Sequence, residues 1–173
     1  MYYMILFMLQ KPSSSIKYPY LPEGREILFV DQNNQFMLEA KRIRDEKSNE
    51  KQHPTGAVVV KDGLIIGFGA NQAGYKNLHL INLHRKGMCV RRWLHVKSGT
   101  HYWICPGCAK SKNHAENLAV KDALAKHTKA EVAGADLYLY GHWWCCEPCW
   151  NSMIGAGIKN VYLLEEGDKL FSR

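Results

Sequence analysis

Six cysteines occupy positions 89, 105, 108, 145, 146 and 149, and the first half of the chain has none. Two pairs, Cys105–Cys108 and Cys146–Cys149, have C-x-x-C spacing, and His84, His101 and His114 are interleaved with them. An even cysteine count would suit disulfides in an exported chain. The run Met1–Leu9 is apolar, however, and far too short to span a bilayer. Its first cation, Lys11, follows that run, whereas a secretion signal begins with one. The spacing therefore points to metal ligands in a reducing compartment, and a cytoplasmic location with no membrane partner is expected. A fold that serves these residues must bring distant segments to a common point.

The bulk numbers allow this within one domain. The chain has 173 residues, 46% hydrophobic and 23% charged, a balance that excludes a disordered chain and permits a real core. Residues 1–30 read as an irregular lead-in, with Pro12, Ser13 to Ser15, Pro19 and Pro22; residues 31–173 read as a single α/β domain. Asp31 can cap a helix to about Glu46, because Phe36, Ala40 and Ile43 recur at helical spacing. Val58–Val60 and Leu64–Ile66 flank Asp62-Gly63, a strong hairpin signal. Residues 72–113 show no clear period, which suggests a long stretch pinned by something other than a hydrophobic face. A helix from His114 to about His127 follows, capped by Asn113, with Glu116, Ala119, Val120, Ala123 and Leu124 on one side. A strand over 136–140, a helix over 147–156 ending at Gly157 and a strand over 159–164 complete the order. Such alternation implies βαβ crossovers, and hence a mixed sheet, an antiparallel hairpin joined to parallel strands, with helices on both faces.

Two helix starts carry the chemistry. His114-Ala115-Glu116 opens one helix and Cys146-Glu147-Pro148-Cys149 opens the next. In a βαβ arrangement both starts can lie near one sheet edge. One imidazole and two thiols would then supply the three protein ligands of a catalytic zinc, leaving the fourth position for water. Two thiolates offset the zinc charge, so a nearby carboxylate is useful as proton acceptor; Glu116 is placed for that role. Read alone, Glu116 would equally suit a capping box with Asn113.

The combination H-x-E…C-x-x-C resembles the zinc nucleobase deaminases. From about Asp31 to Leu164 the chain is similar to the cytidine/deoxycytidylate deaminase superfamily. Thr55–Gly63, Gly67–Asn71 and Ala156–Val161 resemble its first hairpin and the segment after its second cysteine. The resemblance implies the three-layer cytidine-deaminase-like fold, a zinc-dependent deaminase domain over 31–173 and a contact from Asn71 to the substrate sugar. Cys105-Pro106-Gly107-Cys108 and Ser98-Gly99, ahead of His114, look most like the deoxycytidylate branch. That branch converts dCMP to dUMP, releasing ammonia as zinc-activated hydroxide attacks C4, and implies a small nucleotide substrate, a nucleotide effector and a homo-oligomer. Two departures bear on substrate choice: Cys145 stands where the superfamily usually has proline, and Leu118 where the deoxycytidylate branch commonly has asparagine.

Other features leave alternatives open. Cys89, Cys105 and Cys108 can form a second, structural zinc site with His84, His101 or Cys145 as fourth ligand, or they can be free thiols. Arg85, Lys86, Arg91, Arg92 and Lys97 form a basic cluster that suits either a phosphate or plain solvent. Trp143, Trp144 and Trp150 can wall a pocket and stack on a base, or pack in the core. The net charge of +7 also keeps a tRNA or single-stranded nucleic-acid base in view as substrate. A zinc-binding module without catalysis is the remaining alternative, and Glu116 argues against it.

Overall fold

The computed structural model describes residues 20–96 and 100–171. The apolar run Met1–Leu9, the proline- and serine-bearing lead-in through Pro19, Lys97 and Ser98-Gly99 lie outside the described residues.

Five strands form one mixed sheet: β1 (Ile27–Val30), β2 (Gly56–Lys61), β3 (Leu64–Ala70), β4 (Asp136–Tyr140) and β5 (Asn160–Leu164), in the spatial order β1-β5-β4-β2-β3. β2 runs antiparallel to both β3 and β4, whereas β4, β5 and β1 are mutually parallel. The hairpin closes as expected, with Asp62 at φ 50° and Gly63 at φ 79°, both in the left-handed region that a two-residue turn needs. β1 corrects the reading of residues 1–30 as irregular throughout. Its four residues pair in register with Val161–Leu164 at the sheet edge, and so short an edge strand leaves little periodic signal.

Alternation along β2 sorts the layers. Ala57 and Val59 join the core beneath α4 (Ala115–Lys126) and α6 (Glu147–Ala156), while Val58 and Val60 join the core beneath α1 (Gln35–Lys47). Helices therefore cover both faces. Gly67 and Gly69 on β3 let α4 come very close: a Cβ at Gly69 would lie 2.4 Å from the Ala119 nitrogen and 2.6 Å from the Ala115 oxygen.

Several boundaries move. α1 is capped by Asn34, whose Oδ1 accepts from the Phe36 and Met37 amides, while Asp31 caps only the preceding turn. α4 begins at Ala115 with His114 at its N-cap, and Asn113 ends a short 3-10 turn, so no capping box joins Asn113 to Glu116. Leu124 is exposed rather than on the buried face of α4. The stretch read as irregular holds α2 (Leu78–Arg85) and α3 (Val90–Trp93). Their inward residues include His84 and, at the N-cap of α3, Cys89, so no aliphatic stripe announces them.

The register fixes where the site must form. Gly56 at the start of β2 pairs with Ala70 on one side and Tyr140 on the other, so β3 and β4 end level with each other. The chain leaves these two ends toward α4 and α6. Three short helices, α5 (Lys129–Val132) and α7 (Gly167–Phe171) with α3, and two 3-10 turns, Tyr102–Ile104 and Ser111–Asn113, complete the described elements.

Candidate active site and metal centres

His114 and Cys146 sit at the N-caps of α4 and α6, and neither side chain makes a capping hydrogen bond. Both are thereby free to turn toward the gap between the helices. Cys149 follows one turn into α6. His114 Nδ1 lies 3.4 Å from each of the two sulfurs, and the sulfurs lie 3.2 Å apart. Tetrahedral zinc with bonds of about 2.3 Å to sulfur and about 2.0 Å to nitrogen requires edges only a few tenths of an ångström longer. His114 Nε2 donates to the Ala109 carbonyl at 3.3 Å, which reserves the Nδ1 lone pair for a metal. Cys149 Sγ also accepts from Asn117 Nδ2 at 3.5 Å. Hydrogen bonding from Cys149, with further help from His114, outweighs burial and brings the Cys146 thiol down to about 5. The donor set thus fits a divalent cation well.

Glu116, on the first turn of α4, is buried beside these ligands. Burial raises its carboxyl above the ordinary range, with the Cys146 charge adding to the effect and His114 opposing it. A carboxyl so placed can hold a proton between two transfers. Cys145 is buried against Glu116, its thiol pushed up chiefly by burial, and it belongs to neither group of ligands.

The second group of cysteines closes around His84. His84, Cys89, Cys105 and Cys108 bring one ligand atom each within 4.8 Å of one another, all four residues buried. His84 Nδ1 lies 3.4 Å from Cys105 Sγ, and Cys89 and Cys108 sulfurs are 3.6 Å apart. His101 and Cys145 are not among the four, so of the three candidates for the fourth position the geometry selects His84. Gly107 makes room for that ring: a Cβ there would meet His84 Cβ at 2.2 Å. His84 Nε2 donates to Glu50 Oε1 at 3.0 Å, so this imidazole too presents Nδ1 inward.

One cavity of about 570 Å3 touches both groups and is lined by His114, Cys146 and Glu116 as well as by His84, Cys89 and Cys108. Asn71, Trp143 and Trp144 line it; Trp150 instead lies in the core. From the basic cluster, Arg91 and Arg92 also line it, while Arg85 and Lys86 stand exposed on and after α2 and do not. Arg91 bridges the two groups: its Nη1 donates to Cys108 Sγ at 3.7 Å and its guanidinium lies 4.1 Å over the Tyr102 ring. Tyr102 in turn meets the His114 ring edge-on at 5.0 Å. Glu50, His53 and Tyr102 were not singled out by the motifs as site residues. Glu50 and His53 stand in a polar run that reads as linker, and no spacing marks Tyr102.

The profile of the cytidine and deoxycytidylate deaminase zinc-binding region matches residues 30–165, and the chain belongs to that family. The matched region is the zinc-binding region of that deaminase family, and in this chain it carries an α/β fold. Among solved structures, the chain is 25% identical to a diaminohydroxyphosphoribosylaminopyrimidine deaminase/5-amino-6-(5-phosphoribosylamino)uracil reductase from Thermotoga maritima, with a TM-score of 0.45. That match covers 74% of this chain and 28% of the other, so the chain spans under a third of that two-activity protein. It is 23% identical to the dCMP deaminase of cyanophage S-TIM5, with a TM-score of 0.45 over 79% of this chain and 86% of that one. Guanine deaminase from Bacillus subtilis matches at 20% identity and a TM-score of 0.44, covering 81% of this chain and 69% of that one. No curated protein matches the sequence. No helix among the described residues is long and apolar enough to cross a membrane.

Proposed function

We propose that the protein deaminates a free cytosine nucleotide, dCMP in particular, to dUMP with release of ammonia. The observation that carries this reading is the pairing, within one cavity, of a buried Glu116 beside the His114, Cys146, Cys149 triad with Arg91, Arg92 and His53 elsewhere on the wall. His114, Cys146 and Cys149 would hold a zinc, which would supply the chemistry of making a bound water acidic. Glu116 accepts the first proton of that water and gives it to the ring nitrogen as the oxygen bonds to C4. It then carries the second proton to the amine, which leaves as ammonia while C4 becomes a carbonyl.

The remaining contacts follow from the cavity wall. Asn71 Oδ1 accepts from the Thr55 amide at 2.9 Å and Ser48 Oγ at 2.7 Å, and Nδ2 donates to the His53 carbonyl at 2.7 Å. Its second Nδ2 hydrogen suits a sugar oxygen. Trp144, buried at the wall, suits stacking on the base. The guanidinium groups of Arg91 and Arg92 suit the phosphate of a mononucleotide. His84, Cys89, Cys105 and Cys108 hold a second zinc that closes the loop structure around the pocket. We place the activity in a cytoplasmic homo-oligomer, since large apolar side chains such as Leu78, Met88, Trp93 and Trp103 stand exposed and suit burial against a second copy.

Zinc-loaded protein incubated separately with dCMP, CMP, cytidine and a single-stranded RNA, with ammonia release followed, tests the substrate. Turnover should be fastest with dCMP and slow with cytidine, which lacks the phosphate. Release from RNA alone would overturn the nucleotide reading in favour of a nucleic-acid base.

A further inference from the structure

Glu50 has no part in the chemistry above, yet it is one of the most buried ionisable side chains, 3% exposed. It lies on the segment between α1 and β2, and both of its carboxylate oxygens accept hydrogen bonds. Oε1 accepts from His84 Nε2 at 3.0 Å and from the Gln52 amide at 3.1 Å; Oε2 accepts from the His53 amide at 2.5 Å. A buried carboxylate is costly to desolvate unless hydrogen bonds replace its water, and three do so here.

What Glu50 holds is the wall of the pocket. The His53 carbonyl accepts from Asn71 Nδ2, and His53 Nε2 lies 3.4 Å from Arg92 Nη2. Asn71 Oδ1 in turn ties down the Thr55 amide at the start of β2. An unbroken series of hydrogen bonds therefore runs from the second ligand cluster, through His84 and Glu50, to the backbone of 52–53, and on to Asn71 and Arg92. Glu50, Gln52, His53, Asn71 and Arg92 all line the cavity.

We infer that Glu50 is a positioning residue that joins the second metal centre to the substrate-binding wall, so that metal at His84, Cys89, Cys105 and Cys108 sets how tightly the pocket binds its ligand. The inference rests on the two-zinc, nucleotide-binding reading given above. The metal fixes the His84 ring through Nδ1; the ring fixes the Glu50 carboxylate through Nε2–H; and the carboxylate fixes two amides that shape the wall. Carboxylate partners of metal-bound histidines commonly change metal affinity or activity by about 10- to 100-fold when removed. Because coupling between two binding events is reciprocal, a nucleotide bound in the pocket should tighten the second metal by the factor by which that metal tightens the nucleotide.

Glu50→Gln tests this with little change of shape. The amide keeps one acceptor oxygen but turns a donor toward either the His84 N–H or a backbone N–H. Zinc release to a chromogenic chelator should show two phases in the native protein. In the variant the phase belonging to the second site should quicken about tenfold, with the other phase unchanged. KM for dCMP should rise about tenfold while kcat stays within about threefold, a split that a general loss of fold would not produce. Glu50→Asp, which can restore part of the carboxylate bonding, should recover part of both effects. Cys89→Ser, which removes a ligand without touching Glu50, should raise amide hydrogen exchange in the peptide spanning 49–56. Unchanged second-phase release in Glu50→Gln, or unchanged exchange over 49–56 in Cys89→Ser, would overturn the coupling. Native protein that fails to turn over dCMP overturns the substrate assignment instead, and the release and exchange measurements still decide the role of Glu50.

Discussion

Each imidazole near the ligand clusters owes its tautomer to a second acceptor. His114 spends Nε2–H on the Ala109 carbonyl and His84 spends it on Glu50, so both turn Nδ1 toward sulfur. Burial is the largest influence on the Glu116 carboxyl; it favours the protonated form and suits a group that takes a proton and gives it back. Glu116→Gln removes that capacity and leaves the ligand atoms in place. Turnover should fall by at least about 10^2- to 10^4-fold, the usual weight of a positioned acid–base group. Metal analysis should show the zinc content unchanged, and retained activity would remove Glu116 from the proton path. Cys149→Ala should have the opposite signature, with the catalytic zinc itself lost and zinc per chain falling by one equivalent.

The elements place these side chains by backbone approach as much as by side-chain packing. β3 carries Gly67 and Gly69 under α4, and one of the residues that a Cβ at Gly69 would strike, Ala115, is the neighbour of His114. Gly69→Val must therefore push the first turn of α4 off the sheet. Overpacking of this kind costs about 1–3 kcal/mol, and the displaced His114 should also weaken the catalytic zinc. At Gly155, near the end of α6, an added Cβ would meet nothing within 4 Å, so Gly155→Ala should instead raise stability by about 0.5–1 kcal/mol through helix propensity alone. Thermal melts of the two variants, run beside zinc analysis, check both expectations. The hairpin, α4, β4, α6 and β5 were legible in the sequence because Asp62-Gly63, the helical spacing of Ala119 and Ala123 and the stop at Gly157 are local signals. β1 and α2 were not. β1 depends on pairing with β5, a partner more than a hundred residues away, and α2 buries a histidine at the position where a periodic pattern would show an aliphatic residue. The meeting of His114, Cys146 and Cys149 was readable because His114 and Cys146 stand at helix starts, whereas the bonds of Glu50 run to backbone amides that no spacing reveals.

At the scale of the whole molecule, two ligand clusters divide the work. The triad at His114, Cys146 and Cys149 joins α4 to α6 across the core, where Ala115, Ala119, Trp150 and Met153 already pack together. The Cys3His cluster joins α2, α3 and the 105–108 turn, whose buried cluster is made of the cysteines themselves with Tyr102 against them. The first region keeps an apolar core when its metal leaves; the second has almost none. A three-ligand site with an exchangeable fourth position should also yield its metal to a chelator sooner than a closed four-ligand site. Stepwise chelation of the two-zinc protein should therefore abolish ammonia release with the first equivalent lost and change Tm little. Loss of the second equivalent should bring a large fall in Tm, because binding free energy at a structural zinc site is folding free energy. Metal analysis, activity and thermal melts on the same samples follow both steps. A second equivalent that departs without lowering Tm would show that α2, α3 and the 105–108 turn hold together without their metal.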